Sequence, residues 1–359
     1  MGVAGKGQWE VTAVAPSFFH GDLRSISLEA AEGEACRLVS VPVWFSRKVQ
    51  LMLYGSKLRG LIRGHSWDFV HCWEEPFIPA AAQIARWTPA KVPFVFWTAQ
   101  NLSKQYPAPF NWIEKYCLNR CVGWLACGHS IVETMMTRGY GKRPHRIIPL
   151  GVDLHRFRPH PEAREKVLKD LGWEDSGSPI VGYMGRFVPE KGVGLLMRVL
   201  DQVKSPWRAL FLGGGVMADE LKAWSLKYPG RVAIASGVPH DDVPAYLNTM
   251  DLLAAPSQTI PTWKEQFGRM LTEAFACGVP VIASSSGEIP YTVADAGLIV
   301  PEADEPAWSE AIGELIDSPA LRADYRRRGL DRVHTNYSWP IIAKRHLAFF
   351  DELLDSARA

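Results

Sequence analysis

Short apolar runs alternate with segments of helical spacing twice along this chain, and this alternation restricts the folds it can adopt. Strands joined through helices form parallel βαβ units, so each half is predicted to build a doubly wound sheet. The candidate strands are 10–16, 69–72, 92–98, 124–127 and 146–149 in the first half, and 180–184, 209–212, 232–235, 252–255 and 279–283 in the second. Helical spacing is found at 79–86 and 110–119.

A length of 359 residues favours two domains. We therefore expect an α/β protein with two Rossmann-like domains that face a cleft. The first domain is predicted to comprise residues 1–155 together with a C-terminal amphipathic helix at 338–359, and the second residues 156–337. The apolar share of 47% and the charged share of 22% are those of a folded protein, and a net charge of +2 indicates no nucleic-acid partner.

The six cysteines lack the close CxxC pairs of zinc ribbons, so we expect reduced thiols and no metal site. No apolar run reaches the length of a membrane span, and the first residues lack a signal-peptide pattern. These features predict a cytoplasmic protein. They leave open a peripheral contact at the inner face of the membrane, and the oligomeric state is not predicted.

The first chemical motif is a strand that ends in glycine and is followed by two cations and a helix start. It includes Gly185, Arg186 and Lys191. Glycine allows a ligand to approach the backbone closely, and a helix N-terminus favours anions. Arg186 and Lys191 therefore suit a diphosphate, although both also fit solvated loop charges.

The second motif places Glu265 in a loop and Glu273 about one turn into a helix that begins after Gly268. Two separated carboxylates suit a ligand with many hydroxyl groups. They also occur in glycoside hydrolysis, where their through-space separation determines the mechanism, and sequence spacing does not give that distance.

Together, the pattern G-R-x-x-x-E-K-G, then P-S, then E-x(7)-E followed by A-C-G-x-P-V resembles the family-4 retaining glycosyltransferases of GT-B fold. The segments 127–130, 148–153 and 251–257 are similar to that family in the same order. The resemblance implies that Arg186 and Lys191 bind the donor diphosphate, Glu265 binds hydroxyls of the transferred sugar and Glu273 binds the nucleoside ribose.

The resemblance also implies a set of residues around the donor that contact it through backbone or neighbouring groups. These are Gly185, Val238 beside the nucleobase, Phe267, Gly268 and Arg269. The glycine turn 213–215 is either part of this site or purely structural. A UDP- or GDP-linked sugar is the implied donor substrate, and no cofactor is required.

No D-x-D pair lies in the proposed donor loop, so we expect transfer that is independent of metal. Asp241 and Asp242 are adjacent and open a helix, which helix capping explains better than metal binding. The resemblance implies attack on the donor's own face, with the departing phosphate accepting the acceptor's proton.

The chain departs from the family pattern at two places. Gln100 stands where many members have a histidine that contacts the donor sugar; an amide still donates a hydrogen bond but carries no charge. We assign Gln100 to the catalytic set with this difference. The chain also begins about where the family's first helix would end, so the first sheet is expected to lack its first strand.

Acceptor features are fewer. Residues 45–63 mix cations with apolar side chains, as an amphipathic helix on the sheet or a membrane-surface helix would. A saccharide or a lipid-linked saccharide is therefore the expected acceptor. Trp73, Trp97 and Trp263 lie beside the predicted site loops and are candidates for sugar stacking.

The resulting hypothesis is a retaining hexosyltransferase that moves a hexose or N-acetylhexosamine to a hydroxyl acceptor in cell-envelope or polysaccharide synthesis. The alternative is a catalytically impaired nucleotide-sugar-binding protein of the same fold, which Gln100 and the reduced first sheet would suit. A Rossmann oxidoreductase is disfavoured because no G-x-G-x-x-G opens a βαβ unit.

Overall fold

The computed structural model describes residues 1–2, 5, 7–20, 25–28, 36–174 and 177–358. The chain divides into two compact units, one of Met1–Pro149 with Pro340–Ala359 and the other of Leu150–Trp339. The predicted boundaries at residues 155 and 338 lie close to these divisions.

Within the described residues, the strands of the first unit form four sheets, and four α-helices precede the C-terminal helix. Its strands are β1 (Thr12–Pro16), β2 (Phe18–His20), β3 (Ser25–Ser27), β4 (Arg37–Val41), β5 (Val43–Trp44), β6 (Leu53–Tyr54), β7 (Val70–Cys72), β8 (Phe94–Thr98), β9 (Gly123–Ala126) and β10 (His145–Ile147). Its helices are α1 (Ser56–Gly64), α2 (Pro79–Trp87), α3 (Phe110–Arg120) and α4 (His129–Thr137). Strands β10-β9-β8-β7 form a parallel sheet in that order.

The interior strands β8 and β9 are apolar and largely buried, because they pair on both sides and are covered on both faces. Phe94 and Trp124 point into one apolar cluster with α2 and α4. Val95 and Leu125 point into a second cluster with the C-terminal helix, which contributes Phe350. The helix predicted at 338–359 is therefore present and packs on the first sheet.

Strand β1 pairs in parallel with β4, from Thr12 opposite Arg37 to Pro16 opposite Val41. All five residues of β1 are only half-buried, unlike those of β9. Within the described ranges β1 is the first strand of the chain, and it pairs with β4. The expectation that the family's first strand is missing stays a prediction.

A single amphipathic helix over residues 45–63 is wrong. A 3-10 turn at Val49–Leu51 and strand β6 precede α1, which begins only at Ser56. Strand β6 pairs with β5, and the side chain of Gln83 binds the backbone of Tyr54. The Tyr54 N–H donates to Gln83 Oε1 at 2.7 Å, and Gln83 Nε2 donates to the Tyr54 carbonyl at 3.2 Å. This distant partner stabilises an extended backbone where local periodicity favours a helix.

The second unit is built on one parallel sheet of six strands. They are β11 (Ile180–Arg186), β12 (Arg208–Gly214), β13 (Val232–Ala235), β14 (Leu252–Ala255), β15 (Val281–Ser284) and β16 (Leu298–Val300). The helices are α5 (Glu162–Asp170), α6 (Val193–Gln202), α7 (Ala218–Ser225), α8 (Val243–Leu247), α9 (Arg269–Ala276), α10 (Ile289–Val293), α11 (Glu305–Asp317) and α12 (Pro319–Asn336). Helix α13 (Trp339–Arg358) follows and belongs to the first unit from Pro340 onward.

The strand order of this sheet is β13-β12-β11-β14-β15-β16. Apolar clusters cover both faces: alternate residues of β11, such as Ile180 and Val181, point into different clusters. The chain steps outward from β11 to β12 and β13 and then returns to the other side of β11 with β14. This reversal is a topological switch point, where open α/β sheets bind ligands beyond the carboxyl ends of the strands.

Candidate functional site

Both chemical motifs follow the two strands that flank this switch point. The first follows β11 and the second follows β14, which are neighbours in the sheet. Their loops are in direct contact: the N–H of Gln258 donates to the carbonyl of Glu190 at 2.8 Å. Gly192 has φ +72°, and a Cβ there would lie 1.8 Å from the carbonyl oxygen of Pro256. Glycine at position 192 is thus required for the two loops to meet.

The glycine turn after β12 has a structural reason of its own. A Cβ at Gly213 would lie 1.9 Å from the carbonyl oxygen of Gly185. Gly213 has φ +148° and Gly185 has φ +156°, so both adopt backbone conformations that other residues rarely reach. The close packing of β11 against β12 therefore accounts for Gly213 without a ligand.

Lys191 and Glu265, assigned to different parts of a donor, lie in contact with each other. Lys191 ends a 3-10 turn at Pro189–Lys191, and its Nζ is 2.6 Å from Glu265 Oε2. The Ser257 hydroxyl donates to the same carboxylate oxygen at 2.9 Å. The Lys191 ammonium also lies over the ring of Trp263, 4.7 Å from its centroid. The side chains of Lys191 and Glu265 are 16% and 8% exposed, so this is a largely buried ion pair.

The Arg186 side chain is held less firmly than that of Lys191. It is the last residue of β11, its side chain is 40% exposed, and its guanidinium is 3.8 Å from Glu190. Such a long contact at a partly exposed position contributes little to stability. The Arg186 side chain can therefore turn towards an anion without leaving a buried carboxylate unpaired.

Glu273 lies in the middle of α9, about one turn after Gly268, as the spacing predicts. Gly268 precedes the helix with φ +78°. The Glu273 side chain is buried and its Oε1 is 3.3 Å from Arg269 on the preceding turn. Burial raises the pKa of Glu273 above its ordinary value, while Arg269 and Arg156 act in the opposite direction. An acidic acceptor that water barely reaches suits a hydroxyl ligand.

Phe267 and Val238 support the site through packing. Phe267 is buried in the core beneath α9, and its carbonyl accepts a hydrogen bond from the Thr292 hydroxyl at 3.0 Å. Val238, in the loop after β13, is half-buried against the same cluster. Each residue thus has a packing role that is independent of any ligand.

Gln100 belongs to the first unit, where it follows Thr98 at the end of β8. Its Nε2 donates to the hydroxyl of Tyr106. The Tyr106 ring stacks on Phe77 and lies under the guanidinium of Arg138, at 4.7 Å from its centroid. Trp97, three residues before Gln100, stacks on Trp73 with 5.4 Å between the ring centroids, and Trp73 is exposed.

The capping explanation for Asp241 and Asp242 is wrong. Asp242 occupies the position before α8, but its side chain makes no capping hydrogen bond. Asp241 instead pairs with Arg156 across the surface, a partner that is distant in sequence. In the part of the chain that the structure describes, no group of three or more His, Cys, Asp or Glu side chains is arranged to hold a metal ion. The six cysteines are free thiols.

A cavity of about 650 Å³ lies at the opposite end of the second sheet. Its lining includes Ser178, Trp207 and Arg231, which precede β11, β12 and β13. Ligands of open α/β sheets bind at the carboxyl ends, so this cavity is the weaker candidate despite its size.

Comparisons with known proteins cover both halves of the chain. The family described as Glycosyltransferase Family 4 matches residues 6–156, and the family Glycosyl transferases group 1 matches residues 165–332. Among solved structures, sucrose-phosphate synthase from Thermosynechococcus elongatus aligns with a TM-score of 0.72 at 21% identity, covering 99% of this chain and 91% of that one. Anabaena HepE in complex with UDP aligns with a TM-score of 0.71 at 18% identity, covering 89% and 87%.

Two curated relatives are similar in sequence over part of their length. The GDP-mannose-dependent monoacylated alpha-(1-6)-phosphatidylinositol monomannoside mannosyltransferase of Corynebacterium glutamicum is 34% identical over 205 residues, which is 55% of this chain and 54% of the relative. The corresponding phosphatidylinositol monomannoside mannosyltransferase of Mycolicibacterium smegmatis is 34% identical over 201 residues, 54% and 52%. The matched region spans about half the length of these relatives.

The two parallel sheets and the structural neighbours define an α/β protein of the GT-B class with two Rossmann-like domains. The family matches place it further: the chain belongs to the family-4 glycosyltransferases. Both expectations from the motifs are confirmed. Within the described ranges, no helix has the length and apolarity needed to cross a bilayer.

Proposed function

We propose that this chain transfers a hexose or N-acetylhexosamine from a UDP- or GDP-linked sugar to a hydroxyl acceptor. The observation that carries the proposal is the largely buried Lys191–Glu265 pair, which joins the loops after β11 and β14 at the switch point of the second sheet. The names of the mannosyltransferase relatives favour GDP-mannose as the donor. The first unit would then supply the acceptor side and the second the donor side.

In this proposal Arg186 and Lys191 share the diphosphate but in different ways. Arg186 is loosely paired and turns onto the phosphate oxygens. Lys191 stays on Glu265 through one of its three N–H groups and donates another to the phosphate. The N-terminal amides of α6 and α9 add donors that point at negative charge. Fixed cations and helix dipoles thus stabilise the leaving group without a metal.

Glu265 and Glu273 are the proposed acceptors for hydroxyl groups. Lys191 and Ser257 fix the Glu265 carboxylate, so it presents its oxygens to the sugar in a set direction. Glu273 accepts from the ribose. Transfer breaks the bond between the anomeric carbon and the donor phosphate, forms the bond to the acceptor oxygen on the same face, and moves the acceptor proton to the departing phosphate.

The first unit offers a surface that suits a lipid-linked acceptor. Phe18, Trp44, Phe45 and Leu51 are all more than two-fifths exposed, and they line one groove. Between Arg37 and Gly64 the sequence has six cations and no Asp or Glu. Exposed aromatic rings beside cations favour an anionic membrane interface. We propose that this groove brings the site to lipid-linked acceptors, consistent with the phosphatidylinositol acceptors named for the relatives.

Donor hydrolysis tests the transferase proposal without knowledge of the acceptor. The intact chain is incubated with GDP-mannose, UDP-glucose or UDP-N-acetylglucosamine, and the release of free sugar is measured. Hydrolysis above background that is lost in Glu265→Ala and kept in Glu305→Ala, a surface carboxylate paired with Arg198, supports it. Donor binding without turnover would instead support the impaired binding protein.

The membrane surface has a separate test. Trp44→Ser combined with Phe45→Ser is expected to lower sedimentation with phosphatidylglycerol vesicles, while Trp112→Ser, an exposed tryptophan on α3, leaves it unchanged. Equal binding of all three proteins would remove the groove from the proposal.

A further inference from the structure

A half-buried carboxylate, which none of the motifs includes, lies close to Gln100. Glu75 follows β7, and Thr98 ends the neighbouring strand β8. The two strands pair in parallel, with Cys72 opposite Phe96, so their carboxyl ends lie side by side. The sequence places Glu75 and the Gln100 segment at the same edge of the first sheet.

Both oxygens of Glu75 are used by the two residues that precede Gln100. The Thr98 hydroxyl donates to Oε2 at 2.6 Å, and the Ala99 N–H donates to Oε1 at 2.8 Å. The Gln100 N–H in turn donates to the Thr98 hydroxyl oxygen at 3.2 Å. These three hydrogen bonds fix the backbone from residue 98 to residue 100.

We propose that Glu75 is a positioning residue that fixes the Thr98–Gln100 backbone and thereby directs the Gln100 amide. The proposal rests on the role of Gln100 given above. Glu75 acts on the backbone and not on the reacting atoms, because each of its oxygens accepts a hydrogen bond from the segment that carries Gln100. Its neighbour Glu74 serves a different partner, since it accepts from the Tyr54 hydroxyl at 2.6 Å.

The charge on Glu75 makes this positioning sensitive to pH. Burial raises the pKa of Glu75 to about 7, while the hydrogen bonds from Thr98 and Ala99 act in the opposite direction and the negative charges of Glu74 and Glu114 add to the rise. The other titratable groups facing it are Cys72 at the end of β7 and Tyr106 in the loop after Gln100.

Arg138 lies over the Tyr106 ring and pairs with Glu114 at 2.6 Å, so part of the Glu114 charge is compensated. Only the ionised form of Glu75 accepts freely on both oxygens, so the segment becomes ordered as pH rises through about 7. The stability contribution has the opposite sign. A carboxyl group whose pKa is raised in the folded chain stabilises the fold at pH values below its pKa in the unfolded chain. This contribution is lost as pH rises through the pKa of the group in the folded chain.

Hydrogen exchange of residues 98–101 tests the positioning without any assay of turnover. After correction for intrinsic exchange, the segment in the wild-type chain should exchange more slowly as pH rises from about 6 to about 8, because the carboxylate forms in that range. Glu75→Gln keeps one acceptor and should abolish this pH dependence. Glu75→Leu removes both acceptors and should speed exchange by about fivefold or more. Glu74→Gln is the matched control: it should keep the pH dependence of exchange, with the midpoint moved to lower pH because the Glu74 charge adds to the raised pKa of Glu75.

Turnover then connects the segment to function. Glu75→Gln is expected to lower kcat by about fivefold with little change in donor KM. The double variant Glu75→Gln/Gln100→Ala should have the same kcat as Gln100→Ala alone, because both changes act through the Gln100 amide. Exchange rates of residues 98–101 that change neither with pH nor in Glu75→Gln would overturn the positioning role of Glu75. Altered exchange together with full activity of Gln100→Ala would keep the positioning and refute the role of Gln100 on which it rests.

Discussion

The Lys191–Glu265 pair offers a quantitative test, because it combines a structural contact with a proposed donor contact. Both side chains are largely buried and 2.6 Å apart. Removing one member of a buried pair leaves an uncompensated charge and costs about 3 kcal/mol or more. We therefore expect Lys191→Met to destabilise the second unit by about 3 kcal/mol, which in a unit of this size lowers Tm by about 6–12 °C.

The double variant Lys191→Met/Glu265→Gln removes both charges and should regain most of that stability, giving a coupling energy of about 2 kcal/mol. Arg186→Ala is the comparison at the same site. Its contact is long and partly exposed, so we expect a loss below about 1 kcal/mol.

The effects of these variants on nucleotide binding should differ from their effects on stability. Arg186→Ala and Lys191→Met should each weaken nucleoside diphosphate binding more than nucleoside binding, and the stable double variant should remain defective. Chemical denaturation and calorimetric titration with GDP, UDP and their nucleosides measure the two quantities. Additive stability losses, or equal losses for nucleoside and diphosphate, would refute the reasoning.

Two further predictions concern Glu273 and Gly192. Burial raises the pKa of Glu273, so the contribution of this residue to stability is lost as pH rises above the ordinary carboxyl range. The Tm of Glu273→Gln should therefore rise relative to that of the wild type as pH increases. A Tm difference that does not change with pH would contradict this. Gly192→Ala should cost about 2 kcal/mol or more, since the new Cβ would meet the Pro256 carbonyl at 1.8 Å. Gly230→Ala has the same φ of +72° with open space around it and should cost only about 1 kcal/mol; equal losses in denaturant titrations would show that the steric contact is unimportant.

Apolar runs bounded by turn residues predict the strands of both parallel sheets well, because buried parallel strands are continuous apolar segments. The parallel strands from β7 to β15 lie within a few residues of their predicted positions. Residues 45–54 were not predictable in the same way, since the extended conformation of Tyr54 depends on Gln83, a partner from another helix.

The site was predictable in its residues more than in its contacts. Spacing places Arg186 at the end of one strand with Lys191 after it, and Glu265 and Glu273 after another, and the sheet order brings those strands together. The pairing of Lys191 with Glu265 crosses 74 positions of sequence, which no local pattern can indicate. Glu75 did carry a signal, because it is an acidic residue three positions after the end of strand β7.

The central claim is that the second unit binds a nucleotide diphosphate sugar at the switch point of its sheet. A thermal-shift screen of the intact chain against UDP, GDP and their sugar conjugates measures this directly. We predict a rise in Tm with at least one nucleotide diphosphate sugar, with GDP-mannose favoured, and a much smaller rise in Arg186→Ala. A flat response to every nucleotide and nucleotide sugar would contradict the account.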